Sequence, residues 1–219
     1  MKHIKTLGLA VVAVLALAAL ASAATASASE LCSTNTSPCT GTVYGKGTVI
    51  EAESSKAELQ TEGGLVNPKV TCTESKTSGK TTSAGGVGKA VSGSIESLSF
   101  NKCTNNINGG ACEATAVGLP YAASATANSP SDGNGSFTVS NLTVTFLCLT
   151  LPKPNHCSYV ASSVTLSFVG NTPAHLVANA VALTLDTAAG ASEFGCPPRE
   201  SWTATYTVSK PAPAYLVNP

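Results

Sequence analysis

The sequence predicts an all-β fold: an antiparallel β-sandwich, with an antiparallel β-barrel as the second arrangement, stapled by disulfides. Three observations predict it. Apolar and hydroxyl-bearing residues alternate over several runs, glycine-rich clusters separate those runs, and eight cysteines follow an apolar leader in a chain of 219 residues. Period-two alternation marks a strand with one buried face. Glycine clusters mark turns, and an even cysteine count behind a leader marks a disulfide framework.

The leader opens with Met1-Lys2-His3-Ile4-Lys5, continues as an apolar run over 7–21, and ends in Ala21-Ser22-Ala23, Ala24-Thr25-Ala26 and Ala26-Ser27-Ala28. A basic flank, an apolar centre and an Ala-x-Ala exit read as a secretory signal peptide. It spans 1–23, with the cut as late as 28, and leaves 24–219 as a single secreted β domain. The run is shorter than the roughly 20 residues a membrane span needs. Glu30, two residues before Cys32, does not suit a lipid-anchor motif. Without Lys2 and Lys5, ten basic residues face twelve acidic ones. That balance offers no basic face to nucleic acid or to an anionic membrane. The expected partner is an extracellular polysaccharide or protein, and the expected location is outside the cell.

The cysteines are Cys32, Cys39, Cys72, Cys103, Cys112, Cys148, Cys157 and Cys196. Many pairings are open. Proximity around loop-like residues suggests Cys32–Cys39, Cys103–Cys112 and Cys148–Cys157, which leaves Cys72–Cys196 as a long closure whose loss would cost most. No pair has the tight spacing of a zinc site.

Alternation is clearest where Trp202, Ala204, Tyr206 and Val208 oppose Ser201, Thr203, Thr205, Thr207 and Ser209. A second run sets Val160, Val164, Leu166 and Phe168 against Tyr159, Ser163, Thr165 and Ser167. A third sets Val177, Val181, Leu183 and Leu185 against Ala178, Ala180 and Ala182. Over 136–149 the apolar parity switches from Phe137 and Val139 to Leu142, Val144 and Phe146, the mark of a bulge or bend. Weaker strands are expected over 42–52, 65–73, 91–100 and 112–119, with a short helix over 51–60.

Several of these stretches resemble a known group. Leu31-Cys32 with Cys39, Gly47-Thr48-Val49-Ile50-Glu51-Ala52, Val70-Thr71-Cys72-Thr73, Cys196-Pro197, Trp202-Thr203-Ala204-Thr205-Tyr206 and Pro213-Ala214-Tyr215-Leu216-Val217 are similar to small secreted proteins of soil actinobacteria that carry no assigned function. The resemblance implies a bacterial exported protein and supplies no catalytic residues.

The search for chemistry assigns no catalytic, cofactor-binding or metal-binding residue. Gly133-Asn134-Gly135-Ser136-Phe137 is not a nucleophile elbow. His156 follows a Pro-rich tip, and His175 is expected to cap the inner face of a strand. Glu51 and Glu53 read as a solvated edge, and Asp132-Gly133-Asn134-Gly135 as a tight turn that only faintly resembles a calcium loop. Trp202 is expected in the core. An exposed aromatic pair involving Tyr121, Tyr159, Tyr206 or Tyr215 would favour carbohydrate binding, a histidine near serine and carboxylate a hydrolase, and the 152–156 tip an inhibitor. The reading that remains is a secreted, non-enzymatic protein with a surface, matrix or binding role.

Overall fold

The computed structural model describes residues 28–61, 68–130, 132–149, 155–189 and 196–219. The expected leader and residues 152–154 of the tip lie outside that set. Thirteen strands occur among the described residues. They are β1 (Ser29–Cys32), β2 (Val49–Ser54), β3 (Ala57–Thr61), β4 (Lys69–Thr81), β5 (Gly85–Gly86), β6 (Val91–Asn105) and β7 (Ala111–Ala116). The rest are β8 (Tyr121–Ala127), β9 (Gly135–Cys148), β10 (Asn155–Val169), β11 (His175–Leu185), β12 (Arg199–Lys210) and β13 (Tyr215–Val217).

Ten of these strands form one antiparallel sheet that closes on itself into an eight-staved barrel. Two staves are split in two. On one, β8 pairs with residues 91–95 of β6 and β7 with residues 99–104. On another, β2 and β3 pair in turn with the two halves of β4. Each stave bonds to the next along the chain, and β12 returns to β2 and β3 to complete the circle. Sandwich and barrel share the same alternation, so the sequence left both open. Closure is decided by one non-local pairing, and it selects the barrel.

Inside-outside alternation builds the wall. Trp202, Ala204, Tyr206 and Val208 point inward on β12 and are all buried. On β9 the inward set passes from Val139 to Leu142, with Asn141 between them at a φ of +55°. The expected bend is therefore present. Ala180 (φ +49°) does the same on β11, where the register with β12 shifts between Ala178 and Val181.

That shift corrects one expectation. Leu176 and Ala178 are the buried pair at the start of β11, so Val177 and His175 lie on the outer parity. On β10, Tyr159 is buried and Val160 is not, the reverse of the expected assignment. No helix forms over 51–60, where β2 and β3 stand instead; Ser54 and Lys56 make the turn between them, the Ser54 hydroxyl donating to the Lys56 carbonyl at 2.8 Å.

One barrel end is closed by a small sheet in which β1 lies between β13 and β5. Leu31 pairs with Leu216, and both are buried beneath this cap. Ser29 is wholly buried, and its hydroxyl accepts from the Ala127 amide at 2.8 Å, tying cap to barrel. Gly85 (φ +81°) is required at the β5 contact, because a Cβ there would run into the Ser29 carbonyl oxygen.

Four disulfides form: Cys32–Cys39, Cys72–Cys103, Cys112–Cys148 and Cys157–Cys196. The expected Cys103–Cys112, Cys148–Cys157 and Cys72–Cys196 pairs do not. The reason lies in the sheet. Cys72, Cys103, Cys112 and Cys148 are successive register partners across β4, β6, β7 and β9. In an antiparallel ladder, residues that exchange backbone hydrogen bonds stand wider apart than those that do not. The Leu149 amide bonds to Ala111 and the Asn106 amide to Lys69, so by alternation Cys103 and Cys112 face each other as a wide pair. The two flanking pairs are narrow, with Cα separations of 3.9 and 4.1 Å, and these are the ones bridged. Cys157–Cys196 then fastens the segment before β12 onto β10.

Tyr206 sits in the barrel core against Trp202, the rings edge to face with centroids 6.1 Å apart. Its hydroxyl bonds to the Ser75 hydroxyl at 2.8 Å, and Ser75 donates in turn to the Ser99 carbonyl. Burial pushes the Tyr206 phenol up to about 12, partly offset by Ser75. The native state therefore keeps this proton between pH 10 and 12 while the unfolded chain loses it. Stability contributed by Tyr206 is intact below pH 10 and falls as pH rises toward 12, by about 2–3 kcal/mol in all. Chemical denaturation at stepped pH should show this decline, and Tyr206→Phe should make it shallower, leaving the part that comes from Tyr159 and Tyr121, whose phenols burial also pushes up. A wild-type profile level from pH 9 to 12 would contradict the buried phenol.

Candidate functional site

The barrel interior is apolar but incompletely filled. Beneath the cap lies a cavity of about 90 Å³ lined by large residues such as Phe137, Phe168 and Leu216 and by small ones, Gly93, Ala123 and Ala125. A second cavity of about 30 Å³ shares Ile95, Phe137 and Leu176 with the first. A third, of about 20 Å³, shares Leu98, Leu142 and Trp202 with the second. A fourth, of about 80 Å³, shares Leu59, Val70 and Phe146 with the third and lies at the end opposite the cap. Because neighbouring cavities share walls, the four form a string from the cap to the mouth. The partitions are side chains, since Leu98, Leu142 and Trp202 stand between them.

Trp202 lines both middle cavities and is 8 % exposed. Its indole N–H has no acceptor among the described residues. Buried donors are nearly always paired, so an unpaired one beside a void is informative.

The mouth carries the polar groups. Glu200 at the start of β12 and Tyr159 on β10 both line its cavity, and they are 5 % and 2 % exposed. The Thr61 hydroxyl donates to Glu200 Oε1 at 2.9 Å. The Tyr159 phenol donates to the Pro197 carbonyl at 3.1 Å and lies 3.5 Å from Glu200 Oε1. Burial, with the Glu200 charge second, holds the Tyr159 proton far above the usual phenol range. Asn105 is also buried here but is committed to structure, its amide oxygen accepting from Ile107 and Asn108 and its nitrogen donating to Gly110. At the rim, Lys69 pairs with Glu58 at 2.8 Å, and that contact is the main cause holding the Glu58 carboxyl below its ordinary range.

Of the residues weighed from the sequence, Trp202 and Tyr159 line these cavities and the others named below do not belong to the mouth. His156 is exposed on the outer wall, and His175 meets Thr207 at 3.4 Å with its Nδ1. Glu51 pairs with Lys210 at 3.1 Å on the surface. Asp132 accepts from the Asn134 amide at 2.9 Å, as a tight turn requires. Tyr121 and Tyr206 are each 2 % exposed, as is Tyr159, so none of the three offers a stacking surface. Among the described residues, no three His, Cys, Asp or Glu side chains gather as a metal site.

Sequence reasoning missed Glu200, and weighed Tyr159 only as an exposed stacking ring, which its 2 % exposure rules out. Glu200 was within reach, because it shares the inward parity of Trp202 and Tyr206. Tyr159 was not, since the β10 parity changes between it and Val164.

No family model matches the chain, and no curated protein or solved structure matches it.

Proposed function

We propose that this is an exported, non-catalytic binding protein that holds one elongated, largely apolar molecule along the barrel axis. The string of cavities centred on the unpaired Trp202 N–H carries the reading. Eight-stranded barrels are just wide enough to be filled by side chains or to hold one small ligand. Compact drug-sized ligands need about 300–1,000 Å³, far more than any single cavity here. A thin chain lying through several cavities needs only the partitions to rotate.

Export is supported by the leader pattern and by four disulfides, which persist in oxidising compartments. The outer wall supports work in water. Ser124, Thr138 and Thr165 are register partners across β8, β9 and β10, as are Thr126, Ser136 and Ser167. Hydroxyls outside and apolar residues inside reverse the order of a lipid-facing barrel.

The chain has a single tryptophan, which reports from the middle of the string. Titration with decanol should shift its emission saturably, with one molecule bound per chain. Ala123→Phe, which fills the cavity under the cap, should weaken that binding. Emission unchanged up to the solubility limit of decanol would refute the proposal.

A further inference from the structure

We infer that the end of the axial ligand seated under the cap is a branched hydrocarbon terminus, of the width of an isopropyl group, rather than a straight chain end or a polar group. This rests on the reading of the barrel as the holder of an elongated apolar molecule, and it names the class of that molecule.

The string changes width along its length. The two cavities lined by Trp202 measure about 30 and 20 Å³, and the one under the cap opens to about 90 Å³. The sequence builds that width on β8. After Tyr121 the inward positions of this strand are Ala123, Ala125 and Ala127, all buried and each carrying a single methyl group. Ala123 stands in register with Gly93 of β6, so two neighbouring strands withhold their side chains at the same level. Phe168 and Leu216 line the same cavity. A straight chain has the cross-section of one methylene and would leave part of this space empty, forfeiting contacts with its lining. A methyl branch at the penultimate carbon widens the terminus where the wall recedes.

The same end offers nothing to a polar group. Thr77 and Thr81 line the cavity, but the Thr77 hydroxyl donates to the Ser97 carbonyl at 3.1 Å. The Thr81 hydroxyl donates to the Gly45 carbonyl and accepts from the Thr48 amide at 3.0 Å. Among the described residues, none that lines this cavity carries a buried side-chain nitrogen or oxygen without a partner. A hydroxyl or carboxylate placed here would leave water and gain no hydrogen bond in return. The polar end of an amphiphile is therefore directed away from the cap, and the hydrocarbon end toward it.

Isomers of one carbon number separate shape from hydrophobicity, because both leave water with nearly the same gain. Calorimetric titration of the disulfide-intact protein with 9-methyldecan-1-ol and undecan-1-ol tests the inference. The branched isomer should bind roughly fourfold more tightly, the worth of one further methyl group buried in contact. In Ala125→Val, whose added methyl groups occupy the same width, the two isomers should bind equally. Equal binding of the isomers to the wild-type protein, or a preference for the straight one, would overturn the inference, as would Ala125→Val keeping the full preference. The wild-type comparison decides the question even if Ala125→Val fails to fold. Failure of both isomers to bind would overturn the axial reading itself, a different result from binding without preference.

Discussion

Reduction and alkylation of all four disulfides is expected to unfold the barrel at 25 °C. Three bridges close 31, 36 and 39 residues of chain, and Cys32–Cys39 closes seven. Loop-closure entropy assigns about 3.5–4 kcal/mol to each long bridge and about 2.4 to the short one. Together these approach the whole stability of an ordinary domain, about 5–15 kcal/mol. The barrel leans on them because its core is short of packing atoms, with small inward residues and a string of voids. Circular dichroism should show loss of the cooperative thermal transition. A non-reducing peptide map of the untreated protein should contain Cys72–Cys103 and Cys112–Cys148 peptides. A reduced protein that still melts cooperatively near the native temperature would show that hydrogen bonding and burial suffice without the staples.

Trp202→Ala should destabilise the protein by about 3–5 kcal/mol, the usual cost of removing a large buried aromatic side chain. Trp202 is 8 % exposed and packs edge to face on Tyr206. Its loss would also merge the two middle cavities into one larger void, and residual cavity volume adds to the cost. For a domain of this size that corresponds to a melting temperature lower by about 6–20 °C. A melting curve within about 1 kcal/mol of wild type would remove Trp202 from the core.

The strands of β12 and β9 were legible because each carries its own evidence. On β12 every second residue from Trp202 to Val208 is apolar, and on β9 the parity switch announced Asn141. Barrel closure was not legible, because it depends on β12 meeting β2 and β3 across more than 140 residues of chain, from Ala57 to Ala204. The disulfide pairing failed for a related reason. Closeness in sequence favoured Cys103–Cys112, and those residues are indeed neighbours in the sheet. Which neighbours are bridged depends on whether their backbone groups point toward each other, and composition carries no trace of that. The mouth was half legible: Glu200 extends a parity already read on β12, whereas Tyr159 lies beyond a change of parity on β10 that leaves no local mark.

The central claim is that the barrel axis receives an apolar chain, and a crystal soaked with decanol brominated at its terminal carbon tests it most directly. The account predicts an anomalous bromine peak inside the barrel beneath the cap, between Phe168 and Leu216. A bromine peak confined to the outer wall, or an axis empty at full occupancy of the soak, would contradict it.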